Sequence, residues 1–232
     1  MNRASLDGEP VETVLLDMDG TLLDLHFDNY FWGEVLPATW GAQRGLDAAA
    51  ARAELAPRFR AVEGTLDWYC LDYWARELGL DVLALKAGAA ERIAWLPGVE
   101  AALARLGELG LRRVVVTNSH GAGLALKEEV TGLLSRVEAV HTSHEFGAAK
   151  EEAAFWAALA QRETLDPATT LLVDDNPDVL AAARAWGIRH CHQIRRPDTT
   201  AEERPAVGPG AVDLATIVNG MHPLENEQRG SA

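Results

Sequence analysis

Four short β-type runs, each closed by side chains that suit a metal or an anion, constrain this chain more than any other feature. Thr13 to Leu16 runs into Asp17-Met18-Asp19-Gly20-Thr21, Arg112 to Val116 into Thr117-Asn118-Ser119, Ala139 to Thr142 into Ser143-His144, and Leu171 to Val173 into Asp174-Asp175. Helical patterns separate them at Val99 to Leu109, Gly123 to Leu134, Lys150 to Arg162 and Asp178 to Trp186, and a fifth run spans Ile188 to Ile194. Strands alternating with helices predict a mainly parallel sheet with right-handed crossovers. Ligands of such sheets bind outside the carboxyl ends of the strands, so the polar ends converge on one crevice.

With 232 residues, 48% of them hydrophobic, the chain is long enough for one α/β core plus a smaller insert and too apolar to be disordered. The insert lies between the first two strands. From about Asn29 to Leu96, Ala, Leu, Arg and Trp recur at helical spacing, with breaks expected at Pro37, Pro57, Gly64 and Gly79. The predicted layout is a core over 1–27 and 97–218, an all-helical insert over 28–96, a last helix at Ala211 to Val218, and a disordered tail over 219–232.

A net charge of −14 repels nucleic acid polymers and anionic membranes. A small phosphate ester is still acceptable where a cation reverses the local sign. Cys70 and Cys191 form no CxxC pair, and the seven histidines form no zinc pattern. With no apolar leader at Met1 to Pro10 and no stretch of about 18 apolar residues, the expected location is the cytoplasm; the oligomeric state is not legible.

Carboxylates gathered in one crevice repel each other unless a cation sits among them, and an all-oxygen set suits Mg²⁺. Asp17, Asp175 and the backbone carbonyl of Asp19 are the expected metal ligands, assisted by Asp174. The Thr117 hydroxyl, the Asn118 amide and nearby backbone N–H groups suit an anion bound against that metal. Lysine is scarce: Lys86, Lys127 and Lys150 are the only ones among 21 basic residues. A compact ammonium at Lys150 suits both a phosphate and a carboxylate, whereas Lys86, in a Leu-Ala-Leu-Lys-Ala context, reads as surface.

Taken in order, Asp17-Met18-Asp19-Gly20-Thr21, Val116-Thr117-Asn118, Lys150 and Asp174-Asp175 resemble the four motifs of the haloacid dehalogenase (HAD) superfamily. The runs Leu22 to Trp32 and Asp67 to Trp74, with Phe146-Gly147 ahead of Lys150, are similar to its bacterial GMP/IMP nucleotidase group, over about Val11 to Arg196. The resemblance implies a Rossmann-like parallel-sheet core with an inserted all-helical cap of the C1 type. It implies a Mg²⁺-dependent phosphomonoesterase for purine nucleoside 5′-monophosphates, with Asp17 as nucleophile, Asp19 as general acid and base, Thr117 and Lys150 on the phosphoryl oxygens, and Asp174 and Asp175 on the metal. An acid at Asp19 speaks against dehalogenation, and Glu151 stands after Lys150 where many relatives carry Pro. Sugar-phosphate phosphatase, a phosphoglucomutase-like phosphotransferase and a non-enzymatic binding module remain as alternatives.

Insert aromatics supply most of a hydrophobic core, and Phe31, Trp32, Trp68 and Tyr69 are the candidates to stack on a base. Arg58, Arg60 or Asn29 could meet a 6-oxo group. Ser143 and His144 are expected to line the crevice, His26 to pack at the join of core and insert, and Asp178 to cap or support its helix.

Overall fold

The computed structural model describes residues 4–224. Its strands are β1 (Ala4–Leu6), β2 (Glu9–Val11), β3 (Thr13–Leu16), β4 (Arg112–Thr117), β5 (Ala139–Thr142), β6 (Thr170–Asp174), β7 (His190–Ile194), β8 (Gly210–Ala211) and β9 (Met221–Pro223). Six of them form a wholly parallel sheet in the order β5-β4-β3-β6-β7-β8. The expected α/β core is therefore present.

Unbroken apolar runs, whose successive side chains point to opposite faces, explain why this sheet is buried on both sides. Val14, Leu16, Val115, Leu171 and Val173 point into one apolar layer. Leu15, Val114, Val116 and Leu172 point into the other.

The helices are α1 (His26–Tyr30), α2 (Leu36–Ala42), α3 (Ala48–Val62), α4 (Leu66–Tyr69), α5 (Leu71–Leu78), α6 (Val82–Ala87), α7 (Val99–Glu108), α8 (Gly121–Thr131), α9 (Ser143–Phe146), α10 (Ala153–Glu163), α11 (Pro177–Trp186) and α12 (Leu214–Asn219). Residues of α7 and α12 join the first layer and those of α10 and α11 the second. Between β3 and β4, a π-helical turn at Phe31–Val35 and helices α2 to α6 build a separate apolar cluster around Phe31, Trp40, Leu55 and Trp74, while Phe27 of α1 packs into the first layer. Local signals set the insert's helices: Asp47 accepts from the Ala50 N–H to cap α3, Asp81 accepts from Ala84 to cap α6, and Gly79 ends α5 in the left-handed region at φ +66°. Leu71, Trp74 and Leu78 then fall on one buried face of α5.

Several expectations are corrected. Pro57 does not break α3 but lies within it. Both Pro57 and Ala53, whose carbonyl loses its partner, face solvent, where water replaces the missing donor. Lys150 precedes α10 in a turn rather than opening a helix, and Ala211 belongs to β8 rather than to the last helix. Nor is the end frayed from Asn219: that residue closes α12, and Met221–Pro223 pairs antiparallel with β1, itself hairpinned to β2 through Asp7-Gly8. The rest of the expected tail, 225–232, lies outside the described residues.

Candidate active site

The parallel register brings the ends of β3, β4 and β6 to one level, with Leu16 opposite both Val115 and Val173. Asp17, Thr117, Asp174 and Asp175 therefore surround one point, buried at the carboxyl edge of the sheet. One oxygen from each of Asp17, Asp174 and Asp175 falls within 4.8 Å of the others. Lys150 joins them from its turn: its ammonium donates to Asp17 Oδ1 at 2.5 Å, Asp174 Oδ2 at 2.8 Å and the Val116 carbonyl at 3.2 Å. All three of its protons are thus committed to protein oxygens.

Burial dominates the titration of this group. It pushes Asp17 up to about 7, with the charges of Asp174 and Asp19 adding to it and Lys150 opposing. Asp174 is raised to about 6, chiefly by burial and then by Asp175, and Asp175 to about 7 by burial and Asp17 against Arg204. Burial also works against the Lys150 charge, but Asp17 and Asp174 hold its pKa above the ordinary lysine value. Three carboxylates reluctant to ionise, one with a buried Oδ2 that has no partner, form a donor set that a divalent cation would complete. An all-oxygen set fits Mg²⁺.

The Asp19 side chain does not join this set. Its Oδ1 lies 2.6 Å from the ammonium of Lys127 on α8, and the side chain still borders the cavity. Gly20 explains how the turn closes: at φ +92° a Cβ there would lie 2.8 Å from Asp175 Cγ and 2.9 Å from Pro197 Cβ. Only a residue without a side chain lets the loop approach the Asp175 carboxylate so closely.

Thr117 Oγ1 accepts from the Ser119 N–H, so its own proton remains free to donate. Asn118 is placed differently from expectation. Its side chain accepts from the Lys150 N–H at 2.9 Å and donates to Glu151 at 2.9 Å, so it organises the lysine turn and is not an idle donor. Ser143 supports it from behind through a 3.4 Å bond to the Asn118 carbonyl, whereas His144 packs edge-on to His120 and does not border the cavity. His26 faces Thr200 and Asp198, also away from the cavity. Asn176 caps α11 by accepting from the Asp178 N–H, leaving Asp178 exposed in the first turn.

A family model for haloacid dehalogenase-like hydrolases matches residues 11–187. The GMP/IMP nucleotidase YrfG of Escherichia coli is 41% identical over 196 residues, covering 84% of this chain and 88% of its own length. The chain belongs to the haloacid dehalogenase-like hydrolase family. Two solved structures share its fold: a HAD phosphatase from Thermococcus onnurineus, with TM-score 0.75 and 20% identity, and an L-2-haloacid dehalogenase from Xanthobacter autotrophicus, with TM-score 0.60 and 16% identity. Each alignment covers 90% of this chain and 97% of the other.

In this haloacid dehalogenase-like hydrolase a cavity of about 400 Å³ lies between the helical insert and the sheet edge. Trp32, Trp68, Tyr69 and Trp74 form its insert wall. Phe31 is withdrawn into the insert core, Arg58 packs against the Trp40 ring at 5.5 Å, and Arg60 is exposed on α3, so these three leave the set of base-contacting candidates. Asn29 borders the cavity but donates to Asp198 at 2.8 Å.

Sequence reading missed four participants. Lys86 is not on the surface: it is 4% exposed, and its ammonium lies 2.5 Å from Asp28 Oδ1. Its Leu-rich context was an apolar burial signal. Lys127 and Asp28 are the second and third, and the rarity of lysine was the signal for Lys127. Arg204 reaches back from the Pro- and Glu-rich stretch after β7 to Asp175 Oδ2 at 2.8 Å, and nothing local announces it.

Proposed function

We propose that this protein is a Mg²⁺-dependent phosphomonoesterase acting on purine nucleoside 5′-monophosphates such as GMP and IMP. One observation carries the reading: Asp17 is buried with one oxygen on Lys150 and the other unpartnered, and it stands within 4.8 Å of two further carboxylates at the edge of a cavity large enough for a nucleotide. Asp17 attacks phosphorus, the bond to the ribose 5′-oxygen breaks, and Asp19 supplies the proton that this oxygen takes. Asp19 then removes a proton from water as it attacks the aspartyl-phosphate, which restores Asp17 and releases inorganic phosphate. Mg²⁺ held by Asp17, Asp174, Asp175 and the Asp19 carbonyl would neutralise the charge of bringing a phosphate to a carboxylate. Thr117 donates to a phosphoryl oxygen, and Lys150 holds the nucleophile and balances its charge.

The helical insert serves as a cap. Tyr69 on α4 donates to Glu151 at 2.6 Å, and Asn118 and Asn176 donate to the same carboxylate, so the insert is pinned to the site's rim beside the motif lysine. Closure there keeps bulk water from the reacting groups. The rings of Trp32, Trp68 and Trp74 suit a flat base, and the similarity to the YrfG nucleotidase supports a purine.

The test is Mg²⁺-dependent phosphate release from GMP, IMP, AMP, UMP, a hexose phosphate and p-nitrophenyl phosphate. GMP and IMP are expected to give the highest kcat/KM, and Asp17→Asn to lose activity by about 10⁴-fold or more. A preference for the hexose phosphate would overturn the nucleotide reading while keeping the chemistry; no release from any ester would overturn both.

A further inference from the structure

Two of the three lysines take no part in the chemistry above, yet both are buried against one carboxylate at the cavity. Lys127 Nζ lies 2.6 Å from Asp19 Oδ1 and 2.7 Å from Asp28 Oδ2, and Lys86 Nζ lies 2.5 Å from Asp28 Oδ1. Lys127 and Lys86 are 2% and 4% exposed. The four charges come from three parts of the fold: Asp19 and Lys127 from the sheet edge and α8, Asp28 from α1 where the chain leaves the core, and Lys86 from α6 at the far end of the insert. The ammonium of Lys86 is enclosed by the rings of Phe27, Phe31 and Trp32 at 5.0, 5.0 and 5.5 Å.

A buried chain of charges is weak evidence of a stabilising role. Desolvating buried ions offsets their mutual attraction, and hydrocarbon side chains of similar volume serve a core as well or better. Charge-assisted bonds supply what hydrocarbon cannot, which is direction. Left to itself, the Asp19 carboxylate would be pushed by the charges of Asp17 and Asp28 and would turn about its side-chain torsions. With Lys127 on one oxygen, the carboxylate is held at the cavity wall with the other oxygen uncommitted to this ammonium.

We infer that Lys127 is the positioning residue for Asp19, and that Asp28 and Lys86 transmit the seating of the insert to it, so the acid–base group is aimed when the insert sits on the core. The inference rests on the phosphatase reading of Asp19. It places no new group on the substrate; Lys127 acts through Asp19.

Leaving-group dependence tests it, because only a poor leaving group needs a well-placed proton donor. For a series of substituted phenyl phosphates, log kcat/KM is plotted against leaving-group pKa, alongside GMP. Lys127→Met is expected to steepen the plot, losing about 100-fold on GMP and less than about 5-fold on p-nitrophenyl phosphate. Lys127→Arg, which retains a donor, recovers part of the loss on GMP, and Lys86→Met and Asp28→Asn steepen the plot by smaller amounts. A parallel fall of the whole plot, or no change, in these variants would overturn the inference. Should Lys127→Met fail to fold, Lys86→Met and Asp28→Asn decide in the same way. Wild-type enzyme that releases no phosphate, or Asp17→Asn that still does, would instead defeat the phosphatase reading.

Discussion

At the scale of single residues, Gly20 and Asp175 illustrate how a turn can govern one carboxylate of the candidate metal-binding set. The positive φ of Gly20 costs an L side chain about 1–2 kcal/mol, and its Cβ would fall 2.8 Å from Asp175 Cγ. Relief requires moving both Asp175, which Arg204 also restrains, and Pro197, whose Cβ would lie 2.9 Å away. Gly20→Ala is therefore expected to weaken Mg²⁺ binding by about 10- to 100-fold while the fold persists, read by titrating Mg²⁺ against phosphate release and against thermal stability. An unchanged metal affinity would show that Asp175 does not depend on that close approach. The motif Asp-x-Asp-Gly-Thr is legible because its residue types are rare in that order after an apolar run. Arg204 is not legible, since its partner lies 29 positions away and its own neighbourhood has no periodic pattern.

At the scale of elements, the contact between α4 and the lysine turn decides how the insert meets the core. Tyr69 keeps its proton, because burial and the adjacent Glu151 charge hold its pKa far above the ordinary tyrosine value. It therefore serves as a permanent donor. A hydrogen bond to a charged group is worth about 1.5–3 kcal/mol, and Tyr69→Phe removes it while leaving the ring on the cavity wall. The expected outcome is a rise of about 10-fold in KM for GMP with kcat nearly unchanged, measured by steady-state kinetics. A fall in kcat alone would place Tyr69 in the chemistry and not in closure. The helical character of the insert was readable from the spacing of its apolar residues, whereas the caps at Asp47 and Asp81 came with the structure. Pro57 misled because its effect depends on which side of the helix meets water, which sequence does not state.

The whole molecule is acidic, at −14, and gathers three of its carboxylates at one buried point. In the ion-free protein Asp17 and Asp175 are raised to about 7 and Asp174 to about 6, all above the ordinary 3.8. The folded state thus holds protons between about pH 4 and 7 that the unfolded chain has released, and stability falls as pH rises through that window. A bound cation reverses this by favouring the ionised forms. Added Mg²⁺ is expected to raise the Tm by about 5–10 °C at pH 8, at a hundredfold excess over its dissociation constant, and by less at pH 5.5. Calorimetry at the two pH values checks it; an equal or larger shift at pH 5.5 would remove the three carboxylates as the binding set. Among the described residues no helix is long and apolar enough to cross a membrane.

The alternation of strands and helices, the parallel sheet and the convergence of Asp17, Thr117, Asp174 and Asp175 were determined by sequence alone. Apolar period and strand-end residue types are local, and a parallel sheet brings strand ends together whatever the intervening chain does. Packing across the sequence decided the rest: whether Lys86 faces solvent or Asp28, which aromatic rings border the cavity, and that Ala4 to Leu6 pairs with Met221 to Pro223. Each of these depends on partners tens to hundreds of positions away. A lysine, a ring or a short strand carries no local mark of the neighbour that will cover it.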